Sequence, residues 1–281
     1  MKKKIKIAFQ GEMGAYSHLA SKEVFPNAEI IPCATFEDAF KLAKKNTEFK
    51  IVMPIENSLV GRVADIHYLI TKYKLQIHAE HFQKVSHNLL GVKGSKIENI
   101  KIVRSHTQAL SQCQKIINEN KLETIVAADT AGSAKYIYEK NDKTESAIAS
   151  QLAAKIYNLE ILKKNIEDET GNVTRFLIMG NDVSHPEHKN VKYITSCIFQ
   201  LKSKPAALYK ALGGFATNNV NLTKLESFAV KNTFDQVNFY IDMVGHIEDA
   251  SLQKALEELD FHTQKLDILG VYEASQYRFK S

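Results

Sequence analysis

Alternation between strand-like and helix-like segments is the feature that most constrains the fold of this chain. It extends from residue 4 to about residue 180, with a run of probable strands between "LQIHAEHF" and "HNLLGVKG". Such alternation is typical of α/β architecture. Thr35 and Asp38, three residues apart, predict the start of the second helix. The other segments that carry the pattern are "IKIAFQ", "YSHLASKEVF", "EIIPCA", "FEDAFKLAKKN", "KIVMPIEN", "RVADIHYLITKY", "IKIVRSH", "QALSQCQKIINEN", "TIVAAD", "AGSAKYIYEK", "SAIAS" and "QLAAKIYNL".

The last third of the chain follows a different pattern. Residues 181–190, "NDVSHPEHKN", are polar and contain a proline, which is typical of a linker. Beyond them the predicted order is βαββαβ, and Pro205 stands near the first turn of the first helix. This order indicates a ferredoxin-like module. We therefore predict three parts, which are an α/β region at 1–180, a linker at 181–191 and a small module at 192–281.

Composition and charge argue against several classes of protein. The chain of 281 residues has a net charge of +5, but its lysines are scattered among acidic residues and it has no Trp. Nucleic-acid binding is therefore disfavoured, whereas a small anionic ligand is consistent with the charge. The first apolar run, "IKIAF", is too short for a signal peptide, and no later segment is typical of a membrane span. Cys33, Cys113 and Cys197 are far apart and form no CxxC, which favours free thiols in a reducing cytoplasm.

Four junctions between a strand and a helix carry small and hydroxyl residues. Helix N-termini present free backbone N–H groups and bind carboxylates or phosphates, and in an open α/β sheet such junctions gather at one edge. Each hydroxyl could be only a helix cap, but the four together with Arg175 favour an anion site. Arg175, at the mouth of the strand in "DETGNVTRFLIMG", needs an anionic partner from the protein or from a ligand. The four hydroxyl residues are Ser17, Ser58, Thr107 and Thr130.

Other motifs give weaker indications. His78 and His81 would face opposite sides of a strand, and no third ligand accompanies them, so we expect no metal. The pair Ser17-His18 lacks the GxSxG elbow of a hydrolase, and the glycines after the first strand do not form GxGxxG. Glu56 and Asn57 end a strand near the same predicted crevice, where they could bind a ligand or cap structure.

Several segments in this order resemble the prephenate dehydratases, in the single-function form with a C-terminal ACT regulatory domain. The resemblance implies conversion of prephenate to phenylpyruvate without metal or organic cofactor. It also implies a catalytic region of two α/β lobes, similar to type 2 periplasmic binding proteins, with the active site in the cleft between them. The segments that carry it are "IAFQGEMGAYSHLA", "PIENSLVGRV", "SHTQALSQC", "DTAGSAKYI", "SAIASQLAAKIYNLEIL", "NVTRFLIMG", "NLTKLES" and "FYIDMVGHIED".

The resemblance also implies roles for individual residues. Thr174 would donate a hydrogen bond to the departing ring hydroxyl, Arg175 would bind a substrate carboxylate or orient Thr174, and Phe176 would pack against the site. Thr107 stands where many relatives have proline. Glu56 and Asn57 are further catalytic candidates, and the candidates for binding the dicarboxylate substrate are Ser17, Ser58, Ser105, Gln108 and Thr130. Arogenate dehydratase and a non-catalytic amino-acid sensor remain the alternatives.

The resemblance further implies a phenylalanine effector and a homodimer or homotetramer. Relatives that phenylalanine inhibits carry GAL and ESRP segments, whose counterparts here are "AALY" (206–209) and "ESFA" (226–229). Ala206 replaces glycine, while Phe228 and Ala229 replace arginine and proline, so we expect weaker inhibition. The candidate effector residues are Ala206, Ala207, Leu208, Asn221, Leu222, Glu226 and Ser227.

Overall fold

The protein is described by a computed structural model that covers residues 5–63, 66–183, 185–230 and 236–279. Residue 184 of the predicted linker, residues 64 and 65 of "RVADIHYLITKY" and the ends of the chain lie outside the described residues. The first group of elements is β1 (Lys6–Gln10), α1 (Tyr16–Val24), β2 (Glu29–Cys33), α2 (Phe36–Lys45), β3 (Phe49–Asn57), β4 (Gly61–Arg62), α3 (Ile66–Tyr73) and β5 (Gln76–Lys84).

A second group of shorter elements follows. These are β6 (Asn88–Gly91), a 3-10 turn (Ile97–Asn99), β7 (Ile102–Ser105), α4 (Thr107–Ser111), α5 (Gln114–Glu119), β8 (Glu123–Val126), α6 (Thr130–Lys140), β9 (Glu145–Ala149), α7 (Gln151–Ile156), β10 (Glu160–Lys163) and β11 (Val173–Gly180). The last group is β12 (Tyr193–Leu201), α8 (Ala207–Thr217), β13 (Leu222–Ala229), β14 (Val237–Val244), α9 (Ala250–His262), β15 (Thr263–Glu273) and a 3-10 turn (Gln276–Phe279).

The strands form three sheets. The first has the order β2-β1-β3-β11-β5, with β4 on β3, and β1 pairs in parallel with β2 and β3. In the second, β10-β6-β9-β7-β8, strand β7 is parallel to β8 and β9, whereas β6 is antiparallel to β9 and β10. The third, β13-β14-β12-β15, is antiparallel. These sheets confirm the predicted α/β class and the ferredoxin-like order of the C-terminal module.

The chain divides into two compact units. The first comprises Met1–Leu42, Glu48–Ala64 and His81–Phe176 and includes the whole second sheet. The second comprises Ala43–Thr47, Asp65–Glu80 and Leu177–Ser281, so α3 belongs to the same unit as the third sheet. The predicted domain boundaries stay a prediction.

Each unit has an apolar core of its own. In the first, α4 and α5 pack on the second sheet through Leu110, Ile116 and Ile148, among others. In the second, α8 and α9 cover one face of the third sheet, where Phe215 and Leu259 are buried. Burial of these side chains contributes about 1.5–3 kcal/mol each to folding.

Local signals in the sequence account for several helix ends. Thr35 Oγ1 accepts a hydrogen bond from Asp38 N over 3.1 Å, which confirms the predicted start of α2. The prediction of one helix in "QALSQCQKIINEN" was wrong, because the Asp168 carboxylate accepts from Gln114 N and Lys115 N and begins a new helix there. Pro205 precedes α8 by two residues and so lies near its first turn, as predicted. Strand β10 was not predicted.

The three cysteines form no disulfide with one another. Cys33, Cys113 and Cys197 are free and buried. None of the helices in the described ranges has the length and apolar character that a bilayer span requires.

Candidate active site

A cavity of about 260 Å³ lies in the first unit, and residues from several strand ends and helix starts line it. The side chains come from the elements of both the first and the second sheet, as expected for a cleft between two α/β lobes. The lining residues are Gln10, Gly11, Ala15, Tyr16, Ser17, Pro54, Asn57, Val60, Val63, Val85, His87, His106, Gln108, Ala109, Gln112, Ala128, Asp129, Thr130, Asn172, Thr174 and Phe176.

Six of the ten residues predicted for catalysis and substrate binding line this cavity. They are Ser17, Asn57, Gln108, Thr130, Thr174 and Phe176. The other four, Glu56, Ser58, Ser105 and Arg175, are not among the lining residues. Most of the candidates named from the sequence therefore lie at one cavity, although their roles stay predictions.

Asn57 and Thr174 are in direct contact at the cavity wall. Asn57 Nδ2 donates a hydrogen bond to Thr174 Oγ1 over 3.0 Å. The orientation of the Asn57 amide follows from its other bonds, because Leu59 N and Val60 N both donate to Asn57 Oδ1, over 3.0 and 3.1 Å. Since Thr174 Oγ1 accepts from Asn57, its own hydrogen is available to another oxygen.

A chain of hydrogen bonds continues from Asn57 along the cavity wall. Asn57 Nδ2 also donates to Asn172 Oδ1 over 2.6 Å, and Asn172 Nδ2 donates to Gln112 Oε1 over 2.8 Å. His87 Nε2 lies 3.0 Å from the same Gln112 Oε1. Tyr16 Oη donates to the carbonyl of Ser86 over 2.7 Å and lies 3.0 Å from His87 Nδ1.

The directions of these bonds fix the form of His87. Burial lowers the pKa of His87 below its ordinary value, which outweighs the opposing effects of Gln112 and Glu167 and favours the neutral imidazole. Gln112 Oε1 can only accept, so the ring hydrogen is assigned to Nε2 and Nδ1 carries none. Both the Ser86 carbonyl and His87 Nδ1 are then acceptors next to the single hydroxyl hydrogen of Tyr16. Burial is also the main cause that raises the pKa of Tyr16 well above its ordinary value, which keeps its hydroxyl protonated.

Four residues of this wall were not predicted from the sequence, namely Tyr16, His87, Gln112 and Asn172. Gln112 stands four residues after Gln108, a spacing that places both on one face of a helical segment, so it could have been found. Tyr16 is next to Ser17, and Asn172 is two residues before Thr174. His87 gave no local signal, because its partners are distant in the sequence.

Arg175 has a protein carboxylate as a partner. Its side chain is 1% exposed, and Nη1 lies 2.9 Å from Glu56 Oε1. Glu56 is also opposite Arg62 in the pairing of β3 with β4. Of the two partners that the sequence left open for Arg175, the structure therefore supplies the protein carboxylate.

Ser58 and Ser105 contact the backbone rather than the cavity. Ser58 Oγ donates to the carbonyl of Gly171 and accepts from Val173 N, both over 2.9 Å, and so holds the turn before β11. Ser105 is fully buried, and its Oγ donates to the carbonyl of Ile148 over 2.7 Å. Their predicted role in binding substrate has no support from this geometry.

Three helices begin at the cavity, and none begins with the hydroxyl cap that the sequence offered. His106 Nδ1 accepts from Gln108 N at the start of α4, and Asp129 Oδ1 accepts from Gly132 N at the start of α6. Thr107 and Thr130 are the first residues inside those helices. Within the described chain no side chain caps α1, which begins next to Ser17, so backbone N–H groups there are available to an anion.

The histidines considered as metal ligands are apart. His78 Nε2 lies 3.2 Å from Asp182 Oδ1, whereas His81 Nε2 lies 3.3 Å from Glu23 Oε2. A different group, His188, His246 and Glu248, has ligand atoms within 4.8 Å of one another. The two imidazoles are stacked at 4.7 Å with planes 5° apart, so their in-plane lone pairs run in parallel and do not converge on one ion.

The residues predicted to bind an effector lie on α8 and β13. Ala206 precedes α8 with φ +58, in the left-handed region that favours glycine. Glu226 forms an ion pair with Lys224 over 2.8 Å and lies 3.9 Å from His67, whose ring stacks on Phe228 at 5.3 Å. The remaining candidates are Ala207 and Leu208 in the first turn of α8, Asn221 just before β13, and Leu222 and Ser227 within it.

Comparison with known proteins identifies the family to which the chain is similar. The family model described as prephenate dehydratase matches residues 7–184. A bifunctional N-acyl-homoserine lactone acylase/prephenate dehydratase of Komagataeibacter europaeus is 42% identical over 274 residues, which cover 98% of each chain. The chloroplastic arogenate dehydratase/prephenate dehydratase 1 of Arabidopsis thaliana is 39% identical over 284 residues, which cover 96% of this chain and 72% of the plant protein.

A solved structure agrees over nearly the whole length. The crystal structure of a prephenate dehydratase from Arthrobacter aurescens, in complex with L-Phe, superposes with a TM-score of 0.89 at 27% identity. The match covers 96% of this chain and 90% of that one. The likeness therefore includes the C-terminal module as well as the two preceding sheets.

Proposed function

The chain belongs to the prephenate dehydratase family of lyases, and we propose that it decarboxylates and dehydrates prephenate to phenylpyruvate, a step towards phenylalanine. The observation that carries this proposal is the hydrogen bond from Asn57 Nδ2 to Thr174 Oγ1 at the cavity wall. Arogenate, which has an amino group in place of the side-chain keto group, is the alternative substrate. No metal or organic cofactor is needed for either reaction.

Thr174 assists the departure of the ring hydroxyl in this mechanism. As the bond between the ring and its carboxylate breaks, the electron pair enters the ring, which becomes aromatic and expels hydroxide. The hydrogen of Thr174 Oγ1 is directed to that oxygen because Asn57 already occupies an acceptor position of Oγ1. A positioned donor of this kind stabilises the developing charge by about 3–4 kcal/mol. The hydroxide leaves together with carbon dioxide and takes up a proton from the solvent to become water.

The hydrogen bonds of Asn57, Asn172 and His87, which form the hydrogen-bonded wall of the cavity, hold Thr174 and Gln112 in fixed orientations. Gln112 Oε1 accepts from Asn172 and from neutral His87, so its Nε2 is left to donate to a substrate oxygen. Because each bond from Asn57 through Asn172 to Gln112 has one donor and one acceptor, this part of the wall needs no reorganisation during the reaction.

The two substrate carboxylates bind to neutral donors. The uncapped start of α1 offers backbone N–H groups and the Ser17 hydroxyl, and the start of α6 offers the Thr130 hydroxyl. Phe176 and the valines on the cavity wall contact the ring. Arg175 does not contact the substrate, and its ion pair with Glu56 joins the two strands that carry Thr174 and Asn57.

The proposal is tested by incubating the purified chain with prephenate and with arogenate in separate reactions. We expect phenylpyruvate from prephenate, and phenylalanine from arogenate if that substrate is accepted. Formation of neither product would refute the proposal and favour the alternative of a non-catalytic sensor. The Thr174→Ala variant is the control, because it removes the donor without changing the rest of the wall.

Similarity to the Komagataeibacter europaeus protein provides a second candidate activity, hydrolysis of N-acyl-homoserine lactones. The identity of 42% extends over 98% of both chains, and the name of that protein includes this acylase. Release of free homoserine lactone from a synthetic N-acyl substrate tests it. An activity that disappears in a cavity variant would place the reaction in the same site.

The C-terminal module is the proposed regulatory part of the enzyme. Its ferredoxin-like order fits an ACT-like domain, and the related Arthrobacter aurescens structure contains L-Phe. We therefore propose phenylalanine as an effector that binds near Ala206 and β13. A homodimer or homotetramer and a cytoplasmic location stay predictions.

A further inference from the structure

We propose that Asp129 recognises the amino group of the substrate and shifts the preference of the cavity towards an amino-acid side chain over a keto-acid side chain. The inference rests on the proposed function, since it concerns which cyclohexadienyl dicarboxylate the same site accepts.

Asp129 is the one carboxylate among the described residues that line the cavity, and no lysine or arginine lines it. A substrate with two carboxylates and a keto group carries two negative charges and meets no cationic side chain. The corresponding amino compound carries an additional positive charge, so it is repelled less by the Asp129 carboxylate. The cavity thus has the charge expected of a site that binds an ammonium group.

The carboxylate of Asp129 is held in a fixed position. Its Oδ1 accepts from Gly132 N over 2.6 Å at the start of α6. The carboxylate lies so close to Gly132 that a Cβ there would be 2.9 Å from Oδ2, so glycine at this position lets the carboxylate lie against the helix. A fixed acceptor loses little conformational entropy when it binds an ammonium group.

The second oxygen of Asp129 is available to a ligand. Within the described ranges, Oδ2 has neither a hydrogen-bond donor nor a cationic side chain in contact. The two lysines of the same helix pair with other carboxylates, since Lys135 Nζ lies 3.4 Å from Glu12 Oε2 and Lys140 Nζ lies 2.7 Å from Glu145 Oε1. An ammonium group that reaches Oδ2 from the cavity would therefore find a carboxylate oxygen without a competing partner.

The experiment compares kcat/KM for arogenate and prephenate in the wild-type chain and in Asp129→Asn. Asparagine has nearly the same shape and is an equally good helix cap, so α6 should begin as before. We expect the ratio of the arogenate to the prephenate value to fall at least tenfold. Asp38→Asn, which removes one negative charge from the exposed first turn of α2, is the matched control and should leave the ratio unchanged.

Several results would overturn the inference. A ratio that falls less than tenfold in Asp129→Asn, or an equal loss with both substrates, would give Asp129 only a structural role. A wild-type chain that acts on prephenate but not on arogenate would also overturn it while leaving the proposed function intact. If neither substrate reacts with the wild type, the proposed function itself fails. Should Asp129→Asn not fold, Asp129→Ser, another good cap without charge, replaces it with the same expectation.

Discussion

Asn57 at the end of β3 donates to Thr174 at the start of β11, over 3.0 Å, and these two strands are neighbours in the first sheet. The contact makes Thr174 Oγ1 an acceptor and leaves its hydrogen for another oxygen. Because the backbone of Leu59 and Val60 holds the other end of the Asn57 amide, the donor side of that amide cannot rotate away. The predictions that concern catalysis follow from this contact.

Removing the Thr174 hydroxyl should lower turnover far more than affinity. We expect Thr174→Ala to reduce kcat by about 10²- to 10³-fold, or about 3–4 kcal/mol, with little change in KM, because the bond to the leaving oxygen strengthens only in the transition state. Steady-state kinetics with prephenate measure this. Thr174→Ser keeps the hydroxyl and should retain most of the activity. A fully active alanine variant would remove Thr174 from the mechanism.

Changing Asn57 to aspartate should inactivate Thr174 without removing it. One carboxylate oxygen can still accept from the backbone, but the other replaces Nδ2, so the Thr174 hydroxyl turns to donate to it. We expect Asn57→Asp to lower kcat by about 100-fold. In the double variant with Thr174→Ala, the losses should not multiply, since both changes remove the same donor. Multiplicative losses would show that the two residues act independently.

Replacing Arg175 should affect stability more than rate. Arg175→Ala leaves Glu56 without the guanidinium 2.9 Å away, and we expect a loss of about 3 kcal/mol in the free energy of unfolding. Urea unfolding measures the loss, and kcat is determined where the variant is folded. Lys6→Ala, which breaks the exposed pair with Glu29, is the control and should cost less than about 1 kcal/mol. A large loss in kcat at unchanged stability would instead support binding of a substrate carboxylate.

Stability should fall in mild acid because His18 is buried in its neutral form. Burial, with a smaller effect of Lys22, lowers the pKa of His18 from 6.5 to about 4, and its Nδ1 accepts from Gly14 N. Between these values the unfolded chain binds a proton that the folded chain does not, so stability is fully present above pH 6.5 and decreases towards pH 4. The lowered pKa of His87 acts in the same direction.

The measurement for His18 is urea unfolding at pH 7 and at pH 4.5. The wild type should lose about 2 kcal/mol more than His18→Gln between the two values, because glutamine does not titrate. Equal losses in both proteins would contradict the assignment of the effect to His18.

Phenylalanine should inhibit weakly, and Ala206→Gly should strengthen the inhibition. Ala206 has the left-handed φ of +58, and the resemblance to the family implies glycine where its methyl group stands. Restoring one good contact is worth at least about 1 kcal/mol, or about fivefold in affinity. Activity is titrated with phenylalanine in the whole chain, because α3 belongs to the same unit as the third sheet. Ala250→Gly at the start of α9 is the control.

Two outcomes would contradict this prediction about regulation. Tight inhibition of the wild type would show that the replacement of glycine does not weaken the effector site. Inhibition that is competitive with prephenate would place phenylalanine in the cavity instead of the C-terminal module.

The periodic parts of the sequence determined the architecture by themselves. Both folds were identified from the strand and helix periods over the first 180 residues and from the βαββαβ order at the C-terminus. A helix or strand that buries one face has apolar residues repeated at its own period, and this repeat is visible in the sequence. The junction residues Ser17, Asn57 and Thr130 line the cavity as expected, since such junctions gather at one edge of a sheet, whereas Thr174 was named from the resemblance to the family.

Only the tertiary structure decided what those side chains contact. Asn57 and Thr174 are 117 residues apart, and Arg175 and Glu56 are 119 apart, so no local pattern joins them. Ser105, like Ser17, is a serine at a junction between a strand and a helix. Its hydroxyl is buried and donates to the carbonyl of Ile148, whereas Ser17 lines the cavity. A hydroxyl or a guanidinium binds whichever partner the packing of distant elements brings within about 3 Å, and periodicity encodes the burial of a face but not the identity of that partner.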